Sequence, residues 1–128
     1  MKVIVAGTRT FDDQRLVFDM LNNLNIDVEE IVSGHCKRFV DDQEIYTPDR
    51  LGEIWAIDNN IPVRLFPANW EKYGRYAGPI RNKEMAEYAD YAVIFWDGQS
   101  SGTRSMIKEM NRLKKPLMVH VYVWGKKG

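Results

Sequence analysis

Five short apolar runs, separated by segments with helical spacing, set the tightest limit on how this chain can fold. They are Lys2-Val3-Ile4-Val5-Ala6, Glu30-Ile31-Val32-Ser33, Ile61-Pro62-Val63-Arg64-Leu65-Phe66, Tyr91-Ala92-Val93-Ile94-Phe95-Trp96 and Leu117-Met118-Val119-His120-Val121-Tyr122. A strand with one wet face alternates polar and apolar side chains, whereas a strand covered on both faces is apolar throughout. The runs therefore predict parallel strands sandwiched between helices. A chain of 128 residues suffices to close one such core.

Helical spacing fills the gaps. Asp12 or Asp13 is placed to cap a segment with Leu16, Met20, Leu21 and Leu24 on one face. Thr47-Pro48 starts the next, with proline at the first helical position and Leu51, Ile54 and Trp55 turned inward. Gly78-Pro79 opens a third that runs through Met85 to about Ala89. Ser100 or Ser101 opens a fourth, with Met106, Ile107, Met110 and Leu113 at core spacing, and Lys114-Lys115-Pro116 ends it. The alternation predicts an α/β fold. It is a single doubly wound domain over residues 1–124, with a mostly parallel five-stranded sheet, helices on both faces, and a tail over 125–128. His35 to Tyr46 and Ala68 to Ala77 lack either pattern and are expected to be irregular loops, a length that in compact domains usually serves function.

Charge narrows the partners. Lys and Arg together number 18, as do Asp and Glu, so no global field holds a polyanion and nucleic-acid binding is disfavoured. The basic groups that could form a local patch are Lys37-Arg38, Arg112, Lys114-Lys115 and Lys126-Lys127. Cys36 is the lone cysteine, and no Cys/His spacing matches a zinc site. No apolar stretch reaches membrane-spanning length and none resembles a signal peptide. The expectation is a cytoplasmic protein without a metal, a cofactor or a membrane contact.

In an open α/β sheet, ligands bind beyond the carboxyl ends of the strands. Gly7-Thr8-Arg9-Thr10 follows the first strand, Ser33-Gly34-His35 the second, and Asp97-Gly98-Gln99-Ser100-Ser101-Gly102-Thr103 the fourth. Gly78-Pro79-Ile80-Arg81-Asn82 opens the helix before that fourth strand. Two helix starts on one rim bring backbone N–H groups together and favour an anion such as phosphate. Arg9 and Arg81 add guanidinium forks able to grip it with two bonds. Each feature has a plainer reading: a turn for Gly7, a surface ion pair for Arg9, helix-start chemistry for Gly102-Thr103. Their coincidence on one rim is what points to a pocket.

These segments also carry a resemblance. Val3 to Phe11, the Ala68 to Gly74 segment Ala-Asn-Trp-Glu-Lys-Tyr-Gly, Gly78 to Met85, and Ile94 to Thr103 resemble motifs of the SLOG superfamily, in its small YspA-like branch from bacteria and phages. The resemblance spans residues 2 to about 122. It implies a Rossmann-like fold, a pocket for nucleotides or nucleotide-derived signals, and a homo-oligomer. By the same resemblance the ligand-binding residues are Gly7, Thr8, Arg9, Ser33, Gly34, Gly78, Arg81, Asn82, Asp97, Gly98, Ser100, Ser101, Gly102 and Thr103. The chain departs from the pattern after Ser33-Gly34, where a compact glycine-rich turn is replaced by His35 to Pro48. The pattern resumes at Asp49-Arg50-Leu51-Gly52-Glu53. The longer segment is either a specificity loop, with His35, Lys37, Arg38, Tyr46 and Asp49 as its contacts, or a surface excursion.

Three functions remain. The LOG-like nucleotide phosphoribohydrolases of the superfamily carry two acidic residues after a Gly-Thr pair, but here Ser105 and Met106 stand where that pair would be. Breaking an N-glycosidic bond needs a carboxylate to stabilise positive charge or activate water, and Met106 can do neither. Asp97, Asp49, Glu53 and Glu84 are the carboxylates that could substitute. The leading expectation is therefore non-catalytic binding of a nucleotide-derived molecule, as a sensor or sequestering protein, with hydrolysis as the alternative; the resemblance to the family implies that a phage version acts as a sponge for defence signals. The third is an interaction module or a single-stranded DNA clamp similar to DprA proteins. Trp70, Tyr73 or Tyr76 could stack on a base, although core packing is the usual role of a lone tryptophan. Cys36 reads as incidental, and His120 as structural.

Overall fold

The computed structural model describes residues 1–122; the expected tail, Trp124 and Lys126-Lys127 lie outside them. In chain order the elements are β1 (Lys2–Gly7), α1 (Gln14–Asn22), β2 (Glu30–Ser33), β3 (Arg38–Val40), β4 (Gln43–Ile45), α2 (Pro48–Asp58) and β5 (Val63–Leu65). There follow α3 (Trp70–Tyr73), a 3₁₀ turn (Gly74–Tyr76), α4 (Ala77–Tyr88), β6 (Tyr91–Trp96), α5 (Ser101–Arg112) and β7 (Leu117–Val121). The main sheet runs β5-β2-β1-β6-β7, and every neighbouring pair is parallel. The chain therefore builds outward from β1 in one direction, then returns to build from β1 in the other. That reversal lies between β1 and β6, where Gly7 pairs with Phe95.

Alternate residues of β1 supply opposite cores. Val3 and Val5 pack with Val17, Leu21, Leu51 and Trp55 beneath α1 and α2. Ile4 packs with Met85, Met106 and Met110 beneath α4 and α5. Val3, Ile4 and Val5 are fully buried, and each such side chain contributes about 1.5–3 kcal/mol of hydrophobic stabilisation. The unbroken apolar runs thus record burial on two faces. Helix starts match the sequence chemistry as well. Asp13 accepts the Leu16 N–H at 3.1 Å, and Thr47 accepts the Arg50 N–H at 3.3 Å with Pro48 at the first position.

Several boundaries differ from expectation. The segment from His35 to Tyr46 is not irregular, because β3 and β4 form an antiparallel hairpin of their own. Its two-residue turn is Asp41-Asp42, both at positive φ, which aspartate tolerates better than most residues. Strands of three residues leave too little pattern to read. Ala68 to Ala77 likewise holds α3 and the 3₁₀ turn, with Asn69 accepting the Lys72 N–H at 3.1 Å. The third helix begins at Ala77, before Gly78-Pro79, because the 3₁₀ turn runs directly into it. β5 is shorter than the run Ile61 to Phe66; Pro62, which has no N–H to donate, precedes it.

Candidate functional site

At the reversal between β1 and β6 the rim opens into a cleft of about 760 Å³. Of the sequence-predicted site residues, Gly7, Thr8, Arg9, Gly34, Asp49, Gly78, Arg81, Asn82, Asp97, Ser100, Ser101, Gly102 and Thr103 line it. Four different loops converge there because parallel strands deliver all their carboxyl ends to one edge. Ser33, Gly98, His35, Lys37, Arg38 and Tyr46 are not among the lining residues. Gly98 instead forms the turn after β6, where its φ of +81° suits glycine.

The start of α5 is the donor-rich end. Asp97 Oδ1 accepts the N–H groups of Gln99 at 2.8 Å and Ser100 at 2.7 Å. The Ser100 bond leads in holding that carboxyl below its ordinary range. Asp97 thus folds the turn, while the next three amides, on Ser101, Gly102 and Thr103, have no acceptor within the helix. A Cβ built on Gly102 would meet nothing within 4 Å, so the backbone there is open to an approaching group. Asn82 Nδ2 fixes this turn from behind by donating to the Gly102 carbonyl oxygen at 3.1 Å.

The start of α4 contributes less than two equal helix ends would. Ala77 N–H already donates to the Gly74 carbonyl oxygen, and Pro79 has no N–H. The anion-attracting side of the cleft is mainly that of α5. Arg9, after β1, is exposed in the same cleft and makes no ion pair or hydrogen bond among the described residues. Arg81 is differently placed. Its Nη1 donates to the Gly34 carbonyl oxygen at 2.8 Å and its Nε to Asn82 Oδ1 at 3.0 Å, while Nη2 lies 3.6 Å from Cys36 Sγ.

Opposite α5, across the exit of β1, lies an acidic wall built by the start of α2. Asp49 is only 4% exposed, and its Oδ2 accepts the Cys36 N–H at 3.2 Å. Burial pushes its carboxyl up to about 6, against the opposing pull of the Cys36 hydrogen bond and Arg81. Burial, then the Asp49 charge, also raises the Cys36 thiol. Gly34 leaves room for this arrangement: a Cβ would sit 2.7 Å from Arg81 Nη1 and 3.1 Å from Asp49 Oδ2, so either side chain would have to shift.

Glu53, one turn further along α2, lies outside the cleft lining and is held in a closed network. It accepts from Ser33 Oγ at 2.6 Å, meets His35 Nδ1 at 2.9 Å and pairs with Arg50 Nη1 at 2.5 Å. Arg50 Nε reaches on to Glu44 of β4 at 2.7 Å. Ser33, His35 and Glu53 therefore anchor the hairpin to α2. This assigns the inserted segment a structural attachment beside the cleft.

Sequence reasoning missed some lining residues. Cys36 lines the cleft, as do Arg75 and Ser105. Trp70 is a correction: it is 59% exposed at the rim, not core, and its ring edge lies 3.4 Å from where a Gly78 Cβ would stand. Its place in the Ala68 to Gly74 motif was the available signal. Met106 is core at 2% exposure, as its helical spacing indicates. His120 packs in the ring cluster with Phe11 and Phe95. Among the described residues, no group of three or more His, Cys, Asp or Glu could hold a metal, and no helix is long and apolar enough to cross a membrane.

Comparison with known proteins agrees with this architecture. Residues 1–73 match the YAcAr family model, described as the YspA, cpYpsA-related SLOG family. The Gene 61 protein of Mycobacterium phage D29 is 31% identical over 123 residues, covering 91% of this chain and 94% of that protein. No solved structure matches the chain. The family match covers more than half of the sequence, including the strands and loops that build the β1 and Asp49 walls, and the phage relative extends over nearly all of it. The chain belongs to the YspA, cpYpsA-related SLOG family.

Proposed function

We propose that this protein binds a small nucleotide-derived molecule without turning it over, as a sensor or a sequestering protein. The observation that carries this reading is the α5 start. Three amides without helical acceptors share one cleft with an unpaired arginine, Arg9, at the sheet's reversal point. A phosphate fits that donor set, and Trp70 at the rim offers a face for a base. NAD-derived, ADP-ribose-like and cyclic nucleotide signals have the required chemistry.

The absence of turnover is supported by the carboxylates. Asp97 is held by its own turn, Glu53 is closed within the hairpin network, and Glu84 is exposed and outside the cleft lining. One observation favours the hydrolytic alternative: Asp49 is a buried carboxylate on the cleft wall, pushed up to about 6 by that burial. The DNA-clamp reading is weakened by its basic residues. Lys115 Nζ is bonded to the carbonyls of Ala86, Glu87 and Ala89, and Arg112 pairs with Glu109.

Ultrafiltration with mass-spectrometric readout tests the reading. The protein is mixed with AMP, NAD, ADP-ribose, its cyclic forms and cyclic oligonucleotides, then heat-denatured to release what it retained. Recovery of an intact ligand is expected. Recovery of a free base with ribose phosphate would replace the binder with a hydrolase, and retention of nothing would remove the nucleotide reading.

A further inference from the structure

We infer that Asp49 accepts hydroxyl groups of the ligand, so that the cleft selects a molecule with a free vicinal diol over its deoxy counterpart. This rests on the nucleotide reading of the same cleft and names the part of the ligand that the second wall recognises.

The argument starts from an electrostatic cost. Asp49 is 96% removed from solvent, yet it makes no ion pair, and among the described residues its carboxylate is bonded by Cys36 alone, through the N–H at 3.2 Å and the thiol. A carboxylate has about four acceptor positions, and burying one so incompletely satisfied is unfavourable. Such a group on a cleft wall is suited to accepting from something that enters the cleft.

Charge then limits what enters. A phosphate would meet like charge at Asp49, and belongs at the α5 start. An ammonium group would meet Arg81, whose guanidinium already lies beside Gly34 between the two elements. A neutral donor escapes both penalties. Two hydroxyls on adjacent carbons span the two oxygens of a carboxylate, which matches a sugar diol better than a single alcohol. Topology supplies the rest. Asp49 opens α2 behind β2, whereas α5 follows β6, so the two walls flank the exit of β1. A phosphate on one wall and a diol on the other describe the two ends of one ribonucleotide.

The inference has a pH signature. Only the ionised carboxylate accepts two hydroxyls, and the groups facing it are the Cys36 thiol, the Arg81 guanidinium and the Glu53 carboxylate. Diol preference should therefore fade as Asp49 gains its proton.

The experiment is calorimetric binding of AMP and 2′-deoxy-AMP to the full chain at about pH 7.5 and about pH 5. Taking the ratio of the two affinities cancels the titration of the phosphate itself. The wild-type protein should prefer AMP by about ten-fold at the higher pH, the scale of a hydrogen bond to a charged group. The preference should shrink toward parity at the lower pH, and Asp49→Asn should show a small, pH-independent ratio. Equal binding of both nucleotides at about pH 7.5 would overturn the role of Asp49 and leave the nucleotide reading standing. So would a preference unchanged by pH and by the substitution. Binding of neither nucleotide would overturn both. The wild-type pH series decides the matter even if Asp49→Asn folds poorly.

Discussion

Arg81 Nη1 donates to the Gly34 carbonyl oxygen at 2.8 Å, tying the first turns of α4 to the turn that leaves β2. A residue that by motif reads as a phosphate grip is thus also a strut between two cleft walls. The same guanidinium moderates the charge of Asp49. Structure and recognition share one side chain, and substitutions there must be read on both scales.

Arg81→Ala should therefore lower stability as well as any ligand affinity. It leaves the Gly34 carbonyl without its donor and Asp49 without a nearby cation, and the expected loss is about 1–3 kcal/mol. Urea unfolding with matched slopes measures it. Unchanged stability would mean that the guanidinium leaves Gly34 freely and is available to a ligand.

Gly102→Val should separate the two scales. Its added side chain meets no protein atom at Cβ, and valine is no worse a helix former than glycine, so fold stability should change by less than about 1 kcal/mol. Bound phosphate, however, would meet the new methyl groups at the α5 start. Retained nucleotide in the filtration assay should fall sharply while thermal unfolding barely moves. Parallel losses would make Gly102 a fold residue alone.

Arg50→Ala tests the hairpin attachment. The substitution removes the bridge between Glu44 and Glu53 and leaves Glu53, only 5% exposed, with Ser33 and His35. Breaking a largely buried pair on one side costs on the order of 2–4 kcal/mol. Hydrogen exchange should show faster opening in Arg38 to Ile45 before the main sheet is affected. Uniform acceleration across β1 and β6 would deny the hairpin its separate anchorage.

The pH dependence of stability follows from Asp49. Its folded value of about 6 lies above the ordinary value near 3.8, so the folded state holds that proton more tightly. The corresponding stabilisation is complete below about pH 4 and is lost as pH rises through about 6. Asp97 acts in the opposite sense: its stabilisation is present above its ordinary range and fades as pH falls through its lowered one. Asp49→Asn should gain on the wild type by on the order of 2–3 kcal/mol between about pH 4 and pH 7, read from thermal unfolding. A difference flat with pH would show that Asp49 is not desolvated.

The sheet and its rim were legible because they are local consequences of sequence. Val3 to Ala6 and Tyr91 to Trp96 announce two-sided burial, and Asp13 and Thr47 announce helix starts through hydrogen bonds three residues away. Glycine- and serine-bearing segments that follow strands must gather at one edge once those strands are parallel. Harder to read were the short hairpin, the exposure of Trp70 and the division of labour among the carboxylates.

Sequence alone, then, determined the parallel α/β sheet, the rim carrying Gly7 to Thr10 and Asp97 to Thr103, and the family. Only the tertiary structure decided that Arg81 braces Gly34, that Glu53 is closed inside a network and that Asp49 is buried on an open cleft. The reason is physical. Strand and cap preferences act over a few residues, whereas the charge state and availability of a side chain depend on desolvation and on partners brought from elsewhere in the chain. Asp49 and Arg81 are 32 positions apart in the sequence and meet only because α2 and α4 flank the same sheet edge.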